Sequence, residues 1–533
     1  MTITKPIGKL VRYRLAPILI GILLIGGWFL IRRAGNKCRI TELQVPGGGK
    51  TGFTLLPPQQ TGIAFVNNLS DDKATANQLL NIGSGVAAGD YDGDGLCDIY
   101  FCSMGGNNVL YKNLGNWKFA DVTDQAGVAC AGKSCTGATF ADLDGDGKLD
   151  LLVAAFGSFT AYMNNGNGTF TEVTSDAGLT SNLTGTTMAL ADIDGDGDLD
   201  LYVAHYRTTT LRDGEAVSLE QANGRVVIPP QFQDRVTFVN GALKEYGEPD
   251  TLYLNDGKGH FTPIPWTDGT FLDEDGNPLT RPPLDWGLAV TFRDINGDGY
   301  PDIYVCNDYW TPDRIWMNDG KGHFRAIDRL AMRNTSASSM GVDFADIDND
   351  GNQDFFVVDM LSRDHQYRMR QTEAHKPTPR PIGKIDDRPQ MNRNTLYLNR
   401  GDNTFAEIAN LSGVEASEWS WSPVFLDVDL DGYEDILITN GHTRDVQDAD
   451  ANNLIKAKKT GSIQEMQRNL LLYPPLITAK VAFHNLGNLR FEETGHSWGF
   501  DTKGISNGIA LADLDNDGDL DVITNNLGSP AGI

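Results

Sequence analysis

An acidic nine-residue segment, Asp-x-Asp/Asn-x-Asp-Gly-x-x-Asp, occurs seven times in this 533-residue chain, beginning at Asp90, Asp142, Asp192, Asp294, Asp346, Asp427 and Asp513. The first copy reads Asp90-Tyr91-Asp92-Gly93-Asp94-Gly95-Leu96-Cys97-Asp98. Positions 1, 3, 5 and 9 carry a side-chain oxygen in every copy, and position 6 is always Gly. Short apolar runs rich in strand formers flank the loop, such as Val86-Ala87-Ala88-Gly89 before it and Ile99-Tyr100-Phe101 after it. One such segment would be an ordinary Asp/Gly surface turn. Seven with a single spacing are a structural repeat.

Alternating carboxylates on a short loop suit a hard cation that takes six to eight oxygens, which is the chemistry of calcium. Magnesium prefers a rigid octahedron with retained water, and zinc prefers nitrogen and sulfur. Position 6 (Gly95, Gly147, Gly197, Gly299, Gly351, Gly432, Gly518) supplies the left-handed turn that folds the loop on itself. The expected ligands in the first three loops are Asp90, Asp92, Asp94 and Asp98; Asp142, Asp144, Asp146 and Asp150; Asp192, Asp194, Asp196 and Asp200. In the fourth and fifth they are Asp294, Asn296, Asp298 and Asp302; Asp346, Asp348, Asp350 and Asp354. The last two offer Asp427, Asp429, Asp431 and Asp435; Asp513, Asp515, Asp517 and Asp521. An EF-hand is excluded, because its position-12 Glu is Phe101 here and its flanks should be helical. The Asp294 copy has the fewest carboxylates and is expected to be the weakest site.

The formal net charge is −27, and 30 of the 71 acidic residues lie in the seven loops. Seven Ca²⁺ ions would leave about −13, a value ordinary for a soluble domain. Such acidity argues against nucleic acid as a partner. Leu15 to Ile31 is an uncharged, mostly apolar run preceded by Lys5, Lys9, Arg12 and Arg14. Its length predicts a transmembrane signal anchor over 15–31, with a basic cytoplasmic tail over 1–14 and a linker over 32–52. Export to a calcium-rich extracytoplasmic space, periplasmic or extracellular, follows as the expected location. Cys130 and Cys135 share a short loop and are spaced to close a disulfide there.

After each of the first six loops come a strand and then a segment ending in Asn, such as Leu110-Tyr111-Lys112-Asn113 or Leu396-Tyr397-Leu398-Asn399. A glycine-containing hairpin turn follows, then a strand opening on Phe119, Phe170, Phe261, Phe324, Phe405 or Phe491. The unit is therefore four strands, A, acidic loop, B, C, hairpin and D, which repeated radially makes a β-propeller blade. Seven loops predict an all-β, seven-bladed propeller of four-stranded blades over 53–533, preceded by the transmembrane helix. Phe53 to Ile63 is the expected strand that completes the last blade.

These loops within four-stranded units resemble FG-GAP/VCBS repeats of the integrin α type. The Leu-Tyr-x-Asn and Gly-x-Gly-x-Phe segments, such as Gly257 to Phe261, resemble the cartilage acidic protein family and its bacterial relatives. The resemblance implies calcium in the A–B loops, up to seven ions, and a C-terminal domain of the ASPIC/UnbV type beyond Asn526 to Gly532 that this sequence does not contain.

Strand alternation puts all acidic loops on one face of the ring. The three long B–C insertions, about 206–251, 361–395 and 441–480, fall on the other, where binding is expected. The second is locally basic, with Arg363, Arg368, Arg370, Lys376, Arg380, Lys384, Arg388 and Arg393 against four acids. Ser462 to Glu465 forms a capping box that starts a helix in the third. Tyr309, Trp310, Trp419 and Trp421 lie near strand ends on that face. No catalytic motif is present, and the expected role is a non-enzymatic recognition, adhesion or scaffold module for a protein or glycan. The alternative is a polysaccharide-degrading or modifying enzyme on the same ring.

Overall fold

The computed structural model describes residues 50–213, 220–222, 225–239, 242–371, 388–458 and 462–533. It corrects the expectation of seven four-stranded blades. Six blades are complete, and their first two run Val86–Gly89, Asp98–Phe101, Val109–Asn113, Phe119–Asp121 and Cys135–Ala141, Asp150–Ala155, Ser158–Asn164, Phe170–Glu172. The third carries strands Thr184–Ala191, Asp200–Tyr206, Thr251–Asn255 and Phe261–Pro263; the fourth carries Gly287–Arg293, Asp302–Asn307, Arg314–Asn318 and Phe324–Ala326. Phe271–Leu272 joins the fourth as a short parallel fifth strand. Blades five and six comprise Gly341–Ala345, Asp354–Val358, Thr395–Asn399, Phe405–Glu407 and Ser420–Leu426, Asp435–Asn440, Val481–Asn485, Phe491–Glu493.

The seventh acidic loop instead joins only two strands, Ser506–Ala512 and Asp521–Asn526. Beyond them Thr524 exchanges backbone hydrogen bonds with Gly532 (2.8 and 3.0 Å), and Val66 bridges Pro530. Phe53 to Ile63 is not a strand. Pro57 and Pro58 cannot donate to a ladder, and a one-turn helix, Pro58–Thr61, takes their place. The transmembrane segment expected over 15–31, with the 1–14 tail and the linker up to residue 49, lies outside the described residues. Among the described residues no helix is long and apolar enough to cross a membrane.

Strand B is buried from end to end in all six blades, which accounts for its continuous apolar run. Aromatic side chains fill the wedges between blades. Phe355 packs on Tyr397 within its blade (4.5 Å between ring centroids) and on Tyr304 of the preceding one (5.3 Å). The A strands, including that of the two-stranded unit, touch their neighbours in a closed ring around the axis. Their approach is close because glycines stand at the contacts. A Cβ on Gly508 would lie 2.8 Å from the Gly85 Cα. Replacing Gly508 with Ala should therefore cost about 1–3 kcal/mol by overpacking. Thermal unfolding of Gly508→Ala is expected to show a lower Tm; an unchanged Tm contradicts this packing.

Candidate functional site

Each acidic loop is organised by its own carboxylates. Position 1 accepts backbone N–H bonds from positions 5 and 6: Asp90 takes Asp94 (3.1 Å) and Gly95 (2.8 Å), and Asp427 takes Asp431 (3.0 Å) and Gly432 (2.8 Å). Position 6 has φ between 84° and 99° in all seven copies, which makes Gly the residue of choice there. Position 5 accepts the position-7 N–H, as Asp94 does from Leu96 at 3.0 Å. The first, second, third and fifth loops each place three of the expected donor groups within 4.8 Å of one another, including Asp90, Asp92 and Asp98, and Asp346, Asp348 and Asp354, and in the sixth Asp429 and Asp431 are joined by His484.

Position 9 is different, being buried in nearly every copy. Asp150 accepts the Leu143 N–H (2.9 Å) on one oxygen and the Asn164 N–H (2.8 Å) on the other. Asp98, Asp200, Asp302, Asp354 and Asp435 make the same two bonds, each to the Asn that ends strand C. That Asn then carries the connection around the ring. Asn164 Nδ2 donates to Leu149 O beside its own Asp150 (2.8 Å) and to Tyr91 O in the loop of the preceding blade (2.7 Å). Asn255, Asn318, Asn399 and Asn485 repeat this between successive loops, and Asn113 reaches Leu514 O of the seventh. Sequence reading noted the Asn but not its work. The signal was its fixed place in six repeats.

The donor set fits a divalent cation by a specific test. Asp92, Asp348, Asp429 and Asp515 at position 3 each hold one carboxylate oxygen that is covered yet has no hydrogen-bond partner. A covered anionic oxygen without a donor is costly unless a cation meets it. Asp144 and Asp194 bond their oxygens weakly within the loop, at 3.2 and 3.3 Å. Asn296 satisfies itself on Asp298 through both its oxygen and its nitrogen (2.9 Å each), consistent with this loop having least need of a cation. The residue before the relay Asn matters in two loops. Lys112 places its ammonium on Asp92 and, at 3.0 Å, on Asp94, and His484 lies 3.1 Å from Asp435 and 3.7 Å from Asp429.

Other expected features fared unevenly. Cys130 and Cys135 are unbonded buried thiols, with Cys130 Sγ against Tyr162 Oη at 3.3 Å, so the expected disulfide is not formed. Three of the five described arginines of the basic insertion are engaged in ion pairs. Arg363 pairs with Glu493, Arg388 with Glu274 and Arg393 with Glu407, while Lys376, Arg380 and Lys384 lie outside the described residues. The Ser462 N-cap is present: its hydroxyl accepts the Glu465 N–H at the start of the helix Ile463–Asn469. Trp419 and Trp421 are buried and stack on His442, at 4.2 and 6.0 Å, and Trp310 donates to Glu245 O. Tyr309 is the one of the four aromatic residues left 43% exposed. It borders a cavity of about 680 Å³ on the insertion face, formed by the ends of blades three to six, the 71–82 segment and the third insertion.

Two measurements follow from the relay and its carboxylates. Asn164→Ala strands Tyr91 O and Leu149 O and is expected to cost about 1–3 kcal/mol for each carbonyl left unpaired. The exposed neighbour Asn165→Ala should cost under about 0.5 kcal/mol, and equal losses in denaturant unfolding would refute the relay. Burial lifts the position-9 carboxyls to about 7 in Asp98, Asp302, Asp354 and Asp521, and to about 6 in Asp150, Asp200 and Asp435. A carboxyl raised on folding binds more protons in the folded state. Its contribution is complete below its unfolded value of about 4 and is lost as pH climbs through 6 to 7. Chelator-stripped protein should therefore lose Tm between pH 5 and pH 8 in scanning calorimetry; a Tm that rises over this interval contradicts the assignment.

Comparison with known proteins agrees with the repeat. The model of the FG-GAP-like repeat matches residues 90–153, 142–203, 238–305, 294–357 and 387–438, together more than half of the chain. No curated protein matches it. Among solved structures, one reports recognition of non-reducing terminal N-acetylglucosamine by a lectin of Agrocybe aegerita. The two chains are 16% identical, the match covers 77% of this chain and 81% of that one, and the TM-score is 0.38. With five matched segments of loop and strand carrying the same spacing of carboxylates, this chain belongs to the FG-GAP-like repeat family.

Proposed function

We propose that the protein is an extracytoplasmic recognition module whose ring of blades is stiffened by calcium in its acidic loops and whose insertion face meets a glycan or protein partner. The observation that carries the reading is the set of covered, donorless position-3 oxygens of Asp92, Asp348, Asp429 and Asp515, each inside a cluster of carboxylates. An all-oxygen donor set and a flexible loop favour calcium over magnesium or zinc. Extracellular fluid supplies that ion at concentrations the cytoplasm does not. The recurrent Leu-Tyr-x-Asn and Gly-x-Gly-x-Phe segments support a place near the cartilage acidic protein branch of the family.

The chain's own residues do the remaining work. Position-1 carboxylates fix the turn, position-9 carboxylates tie it to strand C, and the relay Asn joins neighbouring loops. Bound calcium would neutralise the acids left over. Metal and fold are then coupled, because the unfolded chain offers no assembled site. In the first loop the Lys112 ammonium competes for the same oxygens.

Calcium titration with thermal unfolding tests this reading. A site filled only in the folded state adds about 2.7 kcal/mol at one hundred times its Kd, so Tm should climb steeply with calcium and fall with chelator. Lys112→Met should gain calcium affinity at the first loop, by about tenfold as one competing charge is removed. A protein whose Tm ignores both calcium and chelator would sink the proposal.

A further inference from the structure

We infer that the cavity on the insertion face is a binding site for an uncharged carbohydrate, with Tyr309 as its stacking platform. This rests on the reading of that face as the recognition face, and not on calcium in the loops. The cavity, about 680 Å³, is of the size that holds small ligands.

Three independent features specify the ligand. The first is the platform. Tyr309 keeps 43% of its surface exposed while its ring is held edge-on to Trp286 (4.8 Å) and beside Tyr206 (6.1 Å). Its backbone stands at φ 61°, in the left-handed region that a bulky residue rarely adopts. Surrounding structure thus over-determines the position of an exposed ring, and strain of this kind gathers at ligand sites. An exposed, rigid aromatic face asks for a ligand with an apolar face of its own.

The second feature is unmet hydrogen bonding of both signs. Trp419 Nε1, a donor, and Gln447 Oε1, an acceptor, are covered, border the cavity and have no partner among the described residues. Trp419 is 7% exposed, so its N–H is withdrawn from bulk water at a cost that only an acceptor relieves. A ligand that satisfies both atoms must donate and accept, as a hydroxyl does. A quaternary ammonium group, which also suits aromatic walls, neither donates nor accepts, and choline adds only a single hydroxyl to it.

The third feature is charge. The ionisable groups bordering the cavity are already hydrogen-bonded within the protein. Arg444 bonds Asp71 (3.0 Å) and Tyr473 O (3.3 Å), and Asp308 accepts the Tyr206 hydroxyl and the Tyr309 N–H, both at 2.5 Å. His442 is fully buried against Trp419, and burial lowers its pKa to about 4, which keeps it neutral. An anionic ligand would compete with Asp71 for Arg444, and the Asp308 carboxylate already accepts two hydrogen bonds. An apolar face, hydroxyls that donate and accept, and no net charge together describe a neutral sugar.

The test is calorimetric and NMR titration of the full chain with a panel of neutral cello-, xylo-, manno-, galacto- and chito-oligosaccharides, with choline and a sulfated glycan as contrasting probes. Saturable binding of at least one neutral oligosaccharide is expected. Tyr309→Ala should weaken it tenfold or more. Trp419→Phe removes the N–H together with part of a buried ring, so Tm should fall modestly while binding to the folded protein weakens at least threefold. Tyr309→Gly separates folding from binding, because glycine accepts φ 61° without strain and the platform alone is lost. No binding across the neutral panel up to 10 mM, binding of only choline or the sulfated glycan, or binding indifferent to both Tyr309 variants overturns the inference. If calcium still raises Tm in that case, the calcium-stiffened module stands and only the saccharide site falls.

Discussion

One buried carboxylate per repeat holds this architecture together. Position 9 of the acidic loop sits at the start of strand B, below the rim, and in the six complete blades it is buried away from bulk water. Asp98, Asp150, Asp200, Asp302, Asp354 and Asp435 resolve that burial by accepting one N–H from their own loop and one from the Asn ending strand C. The same Asn hands its amide to the loop of the preceding blade. Loop conformation, blade pairing and blade-to-blade register are thereby set by one chemical unit, repeated. Asp521 in the two-stranded unit keeps the Leu514 donor but has no relay Asn among the described residues, and its loop is tied to the first through Asn113 and Asn516.

Much of this was legible in the sequence. The spacing of Asp and Gly fixed the loops, and the alternation of apolar runs with Gly-containing turns fixed four strands per repeat. The blade count was not legible in the same way. A loop motif reports only the A–B corner of a blade, whereas completeness depends on which segments pair outside it. Pro57 and Pro58 removed the donors that a closing strand over Phe53 to Ile63 needed. Trp419 and Trp421 illustrate a second limit. Aromatic residues at strand ends read alike in one dimension, whether they are packed on His442 or, like Tyr309, left facing the cavity. The basic run over 362–393 reads as a patch, but Arg363, Arg388 and Arg393 find Glu493, Glu274 and Glu407, two of them more than a hundred residues away in the chain.

The two faces of the ring divide the labour. The rim of acidic loops is repetitive, built from backbone N–H groups and carboxylates, and its chemistry serves rigidity. The opposite face is irregular, assembled from insertions whose lengths differ from blade to blade. Variation confined to one face of a stiff scaffold is the arrangement expected where partners are chosen. Lys112 shows that the rim is not uniform either, since lysine ammoniums meet the acids of the first two loops and His484 stands beside those of the sixth.

Anomalous diffraction from crystals grown in calcium tests the central claim most directly. The account predicts metal peaks in the acidic loops, with carboxylate oxygens of positions 1, 3 and 5 at about 2.3–2.6 Å, strongest where the position-3 oxygen is covered and donorless. Loops without anomalous density at saturating calcium, with the position-3 oxygens bonded to water alone, would contradict it.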